Sequence, residues 1–185
     1  MAITRITSPA ITSVASTAIS GTLPAANIND TSISNITALP AGVGGKVLQV
    51  VSARPAVQIS TTSTSFVATG TKASITPSAT SSKIWCIVTS GLFWANSTDA
   101  DARGGAITIY RAGSNLNGSN QMARTYRIGA TSIQTVASMS ILDSPNSTSS
   151  LEYEVFLKSI WGNPTMQWND SSADYATITL YEIKG

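Results

Sequence analysis

The chain has 185 residues, with 11 Lys and Arg against 9 Asp and Glu, a formal net charge of +2, one Cys and no His. Without His, the usual general base at neutral pH and the commonest metal ligand are missing, so Ser-His-Asp and Cys-His catalysis are excluded. Hydrophobic residues make up 42%, enough for one sizeable core, whereas charged residues are only 11%, well under the roughly one quarter of ordinary soluble domains.

Solubility therefore rests on hydroxyls and amides, and Ser and Thr together number 52. Hydroxyls can bond across a subunit interface without the desolvation cost of an ion, so this surface suits strands packed side by side in an oligomer.

Residues 1–45 are mostly Ala, Ser, Thr, Asn and Gly, with a lone Ile, Val or Leu every few positions. So few apolar groups cannot offset roughly 1–2 kcal/mol of backbone entropy per ordered residue, which leaves an extended segment that is disordered or ordered by partners. Pro24 and Pro40, with Gly21, Gly42, Gly44 and Gly45, exclude a long helix. This segment is expected to be an anchor or shaft, and residues 46–185 a separate head.

From Lys46 the apolar residues alternate with period two, which predicts strands. The predicted strands are Val47 to Ser52, Ala56 to Ser60, Ser65 to Thr69, Ala73 to Thr76, Lys83 to Phe93, Ala106 to Arg111, Met122 to Ile128, Ile133 to Leu142, Leu151 to Ser159, Thr165 to Trp168 and Tyr175 to Ile183. Between them lie turn-forming clusters such as Asp99 to Gly105, Gly113 to Asn120, Asp143 to Asn146 and Trp161 to Pro164. Many short strands and no helical stripe indicate an all-β, antiparallel sandwich.

Some strands are apolar on both faces. Ile84, Cys86 and Val88 oppose Trp85 and Ile87, while Ala176, Ile178 and Leu180 oppose Tyr175, Tyr181 and Ile183. A two-layer sandwich gives each strand one inner face, so the second apolar face needs another cover, most simply a neighbouring protomer. Cys86 lies within this pattern, where a buried, inert thiol is expected.

The segments Gly44-Gly-Lys-Val-Leu-Gln-Val50, Ser74-Ile-Thr-Pro-Ser-Ala-Thr-Ser-Ser-Lys-Ile84, Ile107-Thr-Ile-Tyr-Arg111, Ser140-Ile-Leu-Asp-Ser-Pro145 and Ala176-Thr-Ile-Thr-Leu-Tyr-Glu-Ile183 occur in that order. Together they resemble small virion proteins and fibre tips of tailed bacteriophages, cyanophages especially. The resemblance spans about Gly44 to Ile183. It implies a homotrimeric, jelly-roll-like antiparallel β-sandwich head behind an extended N-terminal segment, on a short fibre or spike that contacts a host surface. A capsid or tail decoration protein, a cement or connector without receptor binding, is the alternative, since residues 1–45 leave little shaft.

A glycosidase would need two carboxylates about 5–10 Å apart. Glu152 and Glu154 share one side of a strand at about 7 Å, but Tyr153, Val155 and Leu157 alternate with them and are expected to face the core, leaving both Glu on the solvated face. Neither catalysis nor a cofactor is expected. Asp99 and Asp101 alone are too few oxygen ligands for a hard cation, and no metal site is expected.

Arg124 and Arg127 flank Tyr126, but one such pair lacks the clustered charge that binds phosphate, so no nucleic-acid partner is expected. Met1 to Arg5 lacks the start of a signal peptide, and no 18-residue apolar run occurs, so the expectation is synthesis in a host cytoplasm, no membrane insertion and a place in the virion.

Trp94, Asn96, Trp161, Asn163, Asn169 and Asp170 are the candidates for contact with a surface glycan. A Trp ring can stack on the C–H face of a sugar while amides and carboxylates take its hydroxyls. Trp168 falls in phase with Met166 and is expected to pack, whereas Trp161 precedes Gly162 and Pro164, where a turn can hold the ring in solvent. The remaining expected partners are further copies of the chain and, through residues 1–45, other phage structural proteins.

Overall fold

The computed structural model describes residues 47–89, 93–96, 103–127, 132–169 and 175–185, all within the compact unit Gly45–Gly185. The N-terminal segment and the Asp99 and Asp101 loop lie outside the described residues. The strands, in chain order, are β1 (Val47–Ala53), β2 (Ile59–Thr61), β3 (Val67–Ile75), β4 (Lys83–Thr89), β5 (Phe93–Asn96), β6 (Arg103–Arg111) and β7 (Ser114–Asn115). They continue with β8 (Ala123–Arg127), β9 (Ile133–Thr135), β10 (Ser138–Asp143), β11 (Leu151–Ile160), β12 (Thr165–Trp168) and β13 (Thr177–Ile183). Every pairing among them is antiparallel.

Three hydrogen-bonded sets result: β1-β13-β4-β10, β2-β12-β5-β9, and β3-β11-β6 with β7 and β8 both on β6. The first two are the same four runs of chain met twice, because β1 leads into β2, β4 into β5, β9 into β10 and β12 into β13, with the same neighbour order in each. Exposure alternates without a break from Gln49 to Thr61 and from Ser132 to Asp143, so the chain stays extended across these two junctions. Counted as eight runs, one layer has the order 1-8-3-6 and the other 2-7-4-5. Such an order arises when a long hairpin ribbon is wound around a core, the jelly-roll pattern.

The inner faces meet in one apolar cluster. Ile84, Cys86, Val88, Met139, Ile178 and Leu180 come from one layer; Ile75, Ile107, Ile109, Tyr153, Val155 and Leu157 come from the other. Burying each large aliphatic side chain contributes about 1.5–3 kcal/mol, and Val, Ile and Thr suit the pleated backbone, so alternation selects the strands and their inner face together.

The structure departs from the predicted strands where small residues decide. Ser65 to Thr69 and Ala73 to Thr76 fuse into β3 through a bulge at Gly70, which has φ +77° and whose N–H donates to Glu154 Oε1 at 2.9 Å. The Gly104-Gly105 pair, expected in a loop, lies in β6 instead. Its missing side chains are required there, because a Cβ on Gly105 would sit 2.1 Å from Met166 Cε. Residues 133–142 divide into β9 and β10, residues 83–93 into β4 and β5, and the short β7 pairs with β6 in a hairpin that sequence reading placed in a turn.

Three polar contacts fix the sandwich from within. Asp143 on β10 takes Arg111 Nη1 of β6 at 2.7 Å and Tyr153 Oη of β11 at 2.6 Å, tying the two layers together. Burial and then the hydrogen bond to Asp143 raise the Tyr153 pKa. The Trp168 Nε1–H donates to Thr71 Oγ1 at 2.8 Å, pinning β12 to β3. Glu182 is a buried carboxylate on the inner side of β13. Its Oε1 accepts from the Ser78 amide at 2.7 Å and from the Ser78 and Ser82 hydroxyls at 2.6 Å, and its Oε2 accepts from Gln49 Nε2 at 2.7 Å. Burial alone would raise its pKa; the hydrogen bonds outweigh that and hold it at about 2.

Two expectations follow from this architecture. Because β1 starts at Val47 and all described pairings fall between it and Ile183, a chain lacking residues 1–45 should keep its β-type circular dichroism and cooperative melting; loss of both would refute a self-sufficient head. Glu182 has a folded pKa below its ordinary value, so its stabilisation is present above about pH 4.5 and is lost as pH falls toward about 2. The melting-temperature gap between the natural chain and Glu182→Gln should be widest near neutral pH and should shrink by about pH 3. A gap independent of pH would exclude this assignment.

Candidate functional site

Exposed aromatic chemistry concentrates where β6, β8 and the β11–β12 turn meet. Tyr126 lies opposite Gly104, which lies opposite Ile160; Arg124 lies opposite Ala106, which lies opposite Lys158. After Ile160 the chain reverses through Trp161, Gly162 and Asn163, all left-handed at φ +49°, +71° and +53°. Three such residues in succession make a tight turn. A Trp in this conformation costs about 1–3 kcal/mol of local strain, which the surrounding structure must sustain.

The turn folds the indole back over β6. A Cβ on Gly104 would sit 3.2 Å from Trp161 Cε3 and 2.4 Å from the Thr125 carbonyl oxygen, so only glycine leaves room for the ring. Trp161 and Tyr126 form an edge-to-face pair, with centroids 5.0 Å apart and planes at 77°. The Arg124 guanidinium lies 5.4 Å from the indole centroid. Trp161 is 45% exposed and Tyr126 48%, so the corner is presented to solvent rather than packed away.

Along the same layer Phe66, Tyr110 and Phe156 form a second aromatic group. Tyr110 stacks on Phe156 at 3.8 Å, Phe66 meets Tyr110 edge-on at 6.0 Å, and the Lys158 ammonium covers the Phe66 ring at 4.4 Å. These rings cover one another and are half-buried. The Trp161 corner is the more open of the two.

The remaining glycan candidates divide. Trp94 and Asn96 lie on β5, whose pairing with β12 sets Trp94 beside Gln167 and Asn96 beside Thr165, so the backbones of the two sequence clusters do come together. Their side chains and Asp170 lie outside the described residues. Asn163 is exposed in the turn beside Trp161. Asn169 must be withdrawn as a surface contact: it is 1% exposed, because its φ of +57° turns the amide inward and Nδ2 donates to the Val57 carbonyl at 2.8 Å. Its Oδ1 and Gln167 Oε1 are buried without a donor among the described residues.

Trp168 is fully buried in the core. Sequence reading missed Tyr126 and Arg124 as partners of Trp161, since about 35 positions separate them; the only local trace was the Arg124-Thr-Tyr126 alternation, which puts both side chains on one face.

The two carboxylates weighed as a glycosidase pair are engaged separately. Glu152 pairs with Lys72 at 3.0 Å and Glu154 caps the Gly70 amide, so the two carboxylates have separate structural tasks. No group of three or more Cys, Asp or Glu able to hold a metal occurs among the described residues. The Cys86 thiol is buried, and burial, then the nearby Asp143 charge, push its pKa up to about 12, which leaves no thiolate at neutral pH.

No protein-family model matches the chain, and no curated protein matches it in sequence. Among solved structures it is similar to a Bacillus endospore appendage protein, from a family described as disulfide-linked pili, at 13% identity over 80% of this chain and 100% of that one, with a TM-score of 0.28. It is also similar to a chain of an infectious bursal disease virus particle, at 13% identity over 76% of this chain and 36% of that one, TM-score 0.33. A mutant VP2 protein of the same virus shows 14% identity over 72% and 36%, TM-score 0.31. The chain thus spans about a third of either viral chain, and at these scores the likeness does not extend to function.

The contrast between the two tryptophans is measurable. Trp168→Ala should cost about 3–5 kcal/mol of stability, as emptying a packed core site does. Trp161→Ala removes a half-exposed ring and leaves the left-handed backbone as it was, so denaturant unfolding should place it within about 1 kcal/mol of the natural chain. Equal losses for the two variants would contradict the assigned environments.

Proposed function

We propose that the chain is a structural virion protein of a tailed phage: a homotrimeric short fibre or spike that assembles through the outward face of the β1-β13-β4-β10 layer, with residues 1–45 joining it to other particle proteins. The observation that carries this reading is an apolar row across that face. Val50 stands opposite Tyr181, Tyr181 opposite Trp85, and Trp85 opposite Leu142. Val50, Trp85 and Leu142 are 53%, 42% and 54% exposed. The Trp85 and Tyr181 rings lie 5.6 Å apart, and Trp85, Leu142 and Ile183 line an open apolar depression of about 240 Å³.

The neighbouring rungs favour assembly as well. Ser52, Thr179, Ile87 and Ser140 form the next row, with Ser52 and Thr179 hydroxyls 3.0 Å apart; Thr177, Thr89 and Ser138 form the one after. Lys83 is the sole charged side chain on the outward side of these four strands. A contiguous apolar row flanked by hydroxyls is expensive to leave in water and cheap to cover, whereas scattered surface apolar residues need no cover. Three-fold closure is what the resemblance to phage fibre heads implies.

The same face would also serve a decoration subunit seated on a different particle protein. Free chain would then be monomeric. Light scattering of the purified protein should give about three times 19.2 kDa, and Trp85→Lys or Leu142→Lys should reduce it to a single mass with unchanged circular dichroism. A natural chain that is monomeric at micromolar concentration would sink the trimer and leave the decoration reading.

A further inference from the structure

We propose that the Trp161, Tyr126 and Arg124 corner is a binding site for a carbohydrate unit bearing a carboxylate. It deepens the fibre-or-spike reading by giving the head a ligand, and rests on that reading only for the biological source of the sugar.

The corner joins three properties that occur together nowhere else among the described residues. It has two exposed rings at 77°, a geometry that offers an apolar surface from two directions. It has a guanidinium beside them without a carboxylate partner among the described residues, where Lys72 pairs with Glu152 and Arg111 with Asp143. Its indole is held rigidly by a strained backbone over a glycine that admits no side chain. Left-handed Trp is a conformation that a turn adopts only under compulsion from its surroundings, and such outliers cluster at ligand sites because the strain fixes a side chain in place before binding.

The chemistry of these groups specifies the ligand class. A pyranose presents one face of C–H groups, which suits an indole or phenol ring, and a rim of hydroxyls, which suits the Tyr126 hydroxyl, the indole N–H and the exposed Asn163 amide in the same turn. Arg124 offers planar paired donors matched to a carboxylate, so a uronic or sialic unit fits better than a neutral sugar. A nucleic acid would need a row of cations along a backbone, and one guanidinium does not supply it. A second copy of the chain would need about 800 Å² per partner, whereas the corner is two rings and a cation bordered by a polar turn; the apolar row on the other layer is far better suited to that task.

The test is calorimetric titration of the full chain with oligosaccharides ending in uronic or sialic acid, each beside its methyl ester. Saturable binding of at least one acid, about tenfold tighter than its ester, is expected. Trp161→Ala should abolish it, and Arg124→Gln should lower acid affinity to that of the ester, both with melting temperatures close to the natural chain. Failure of every acid to bind at millimolar concentration, equal affinity for acid and ester, or unchanged binding by Trp161→Ala would each overturn the proposal. A fall in the light-scattering mass of Trp161→Ala would overturn it in favour of a protein interface, while the response of Trp85→Lys tests the assembly reading separately.

Discussion

A sandwich of two layers gives each strand a single inner face, and the rest of this molecule follows from that limit. The inner positions are filled by Ile, Val, Leu and Met from both layers, closed by Tyr153 and Trp168. On the β1-β13-β4-β10 layer, what remains outward is two rungs rich in Ser and Thr and one rung of Val50, Tyr181, Trp85 and Leu142. No adjustment within the monomer can bury that rung, since turning a strand over would expose Ile84, Cys86 and Val88 instead. Under the assembly proposed above, a second copy of the chain covers it. The near absence of charge on this face is in keeping with that proposal, because a face covered by protein loses less on desolvation if it carries hydroxyls rather than ions.

The buried polar groups hold particular pieces in place rather than adding much net stability. Glu182 gathers Ser78, Ser82 and Gln49, and so binds the segment between β3 and β4, the edge strand β1 and the closing strand β13 to one carboxylate. Gln49 Nε2 also reaches the Thr76 carbonyl at 2.7 Å. A buried charge with four donors is near break-even energetically, but removing the carboxyl group leaves those donors without a partner, so the contact works as a lock on register. Asp143 plays the corresponding part between the layers with Arg111 and Tyr153. Both locks lie directly behind outward residues of the apolar row: Glu182 between Tyr181 and Ile183, Asp143 next to Leu142. The face proposed for assembly is therefore backed by two buried polar clusters.

Period two was legible in the sequence because it is the direct consequence of burying one face of a pleated strand. Thr165–Trp168 was read to the residue, and the inward parity of Ile84, Cys86 and Val88 and the opposing parity of Trp85 were read correctly. Gly70 misled because a glycine inside a strand reads as a break, whereas here it is a bulge held by Glu154 and flanked by Thr69 and Thr71 hydroxyls. Gly104 and Gly105 misled for the same reason. Glu182 could not be anticipated as a buried residue, since the donors that make its burial tolerable lie about 100 and 133 positions away. Of the candidate contact residues, Trp161 and Asn163 sit in an exposed turn, whereas Asn169, one residue past a buried Trp168, was drawn inward by a left-handed turn that sequence does not announce.

The two outward features place different demands on the backbone. The apolar row runs across four paired strands, where each side chain points outward by parity and needs no strain to do so; such a face suits a large, repetitive contact. Trp161 stands at the end of β11, in a turn of three left-handed residues, over a glycine, next to a ring from β8 that meets it at right angles. Regular strands could have placed an aromatic side chain on this layer at no conformational cost, as they do with Tyr110 and Phe156. Those rings stack at 3.8 Å and largely satisfy each other, whereas the strained turn keeps the indole apart from its partner's face and open to solvent. Strain here preserves an unfilled aromatic surface against the ordinary tendency of rings to bury one another, which is the condition a small ligand requires and a protein interface, with its larger area, does not.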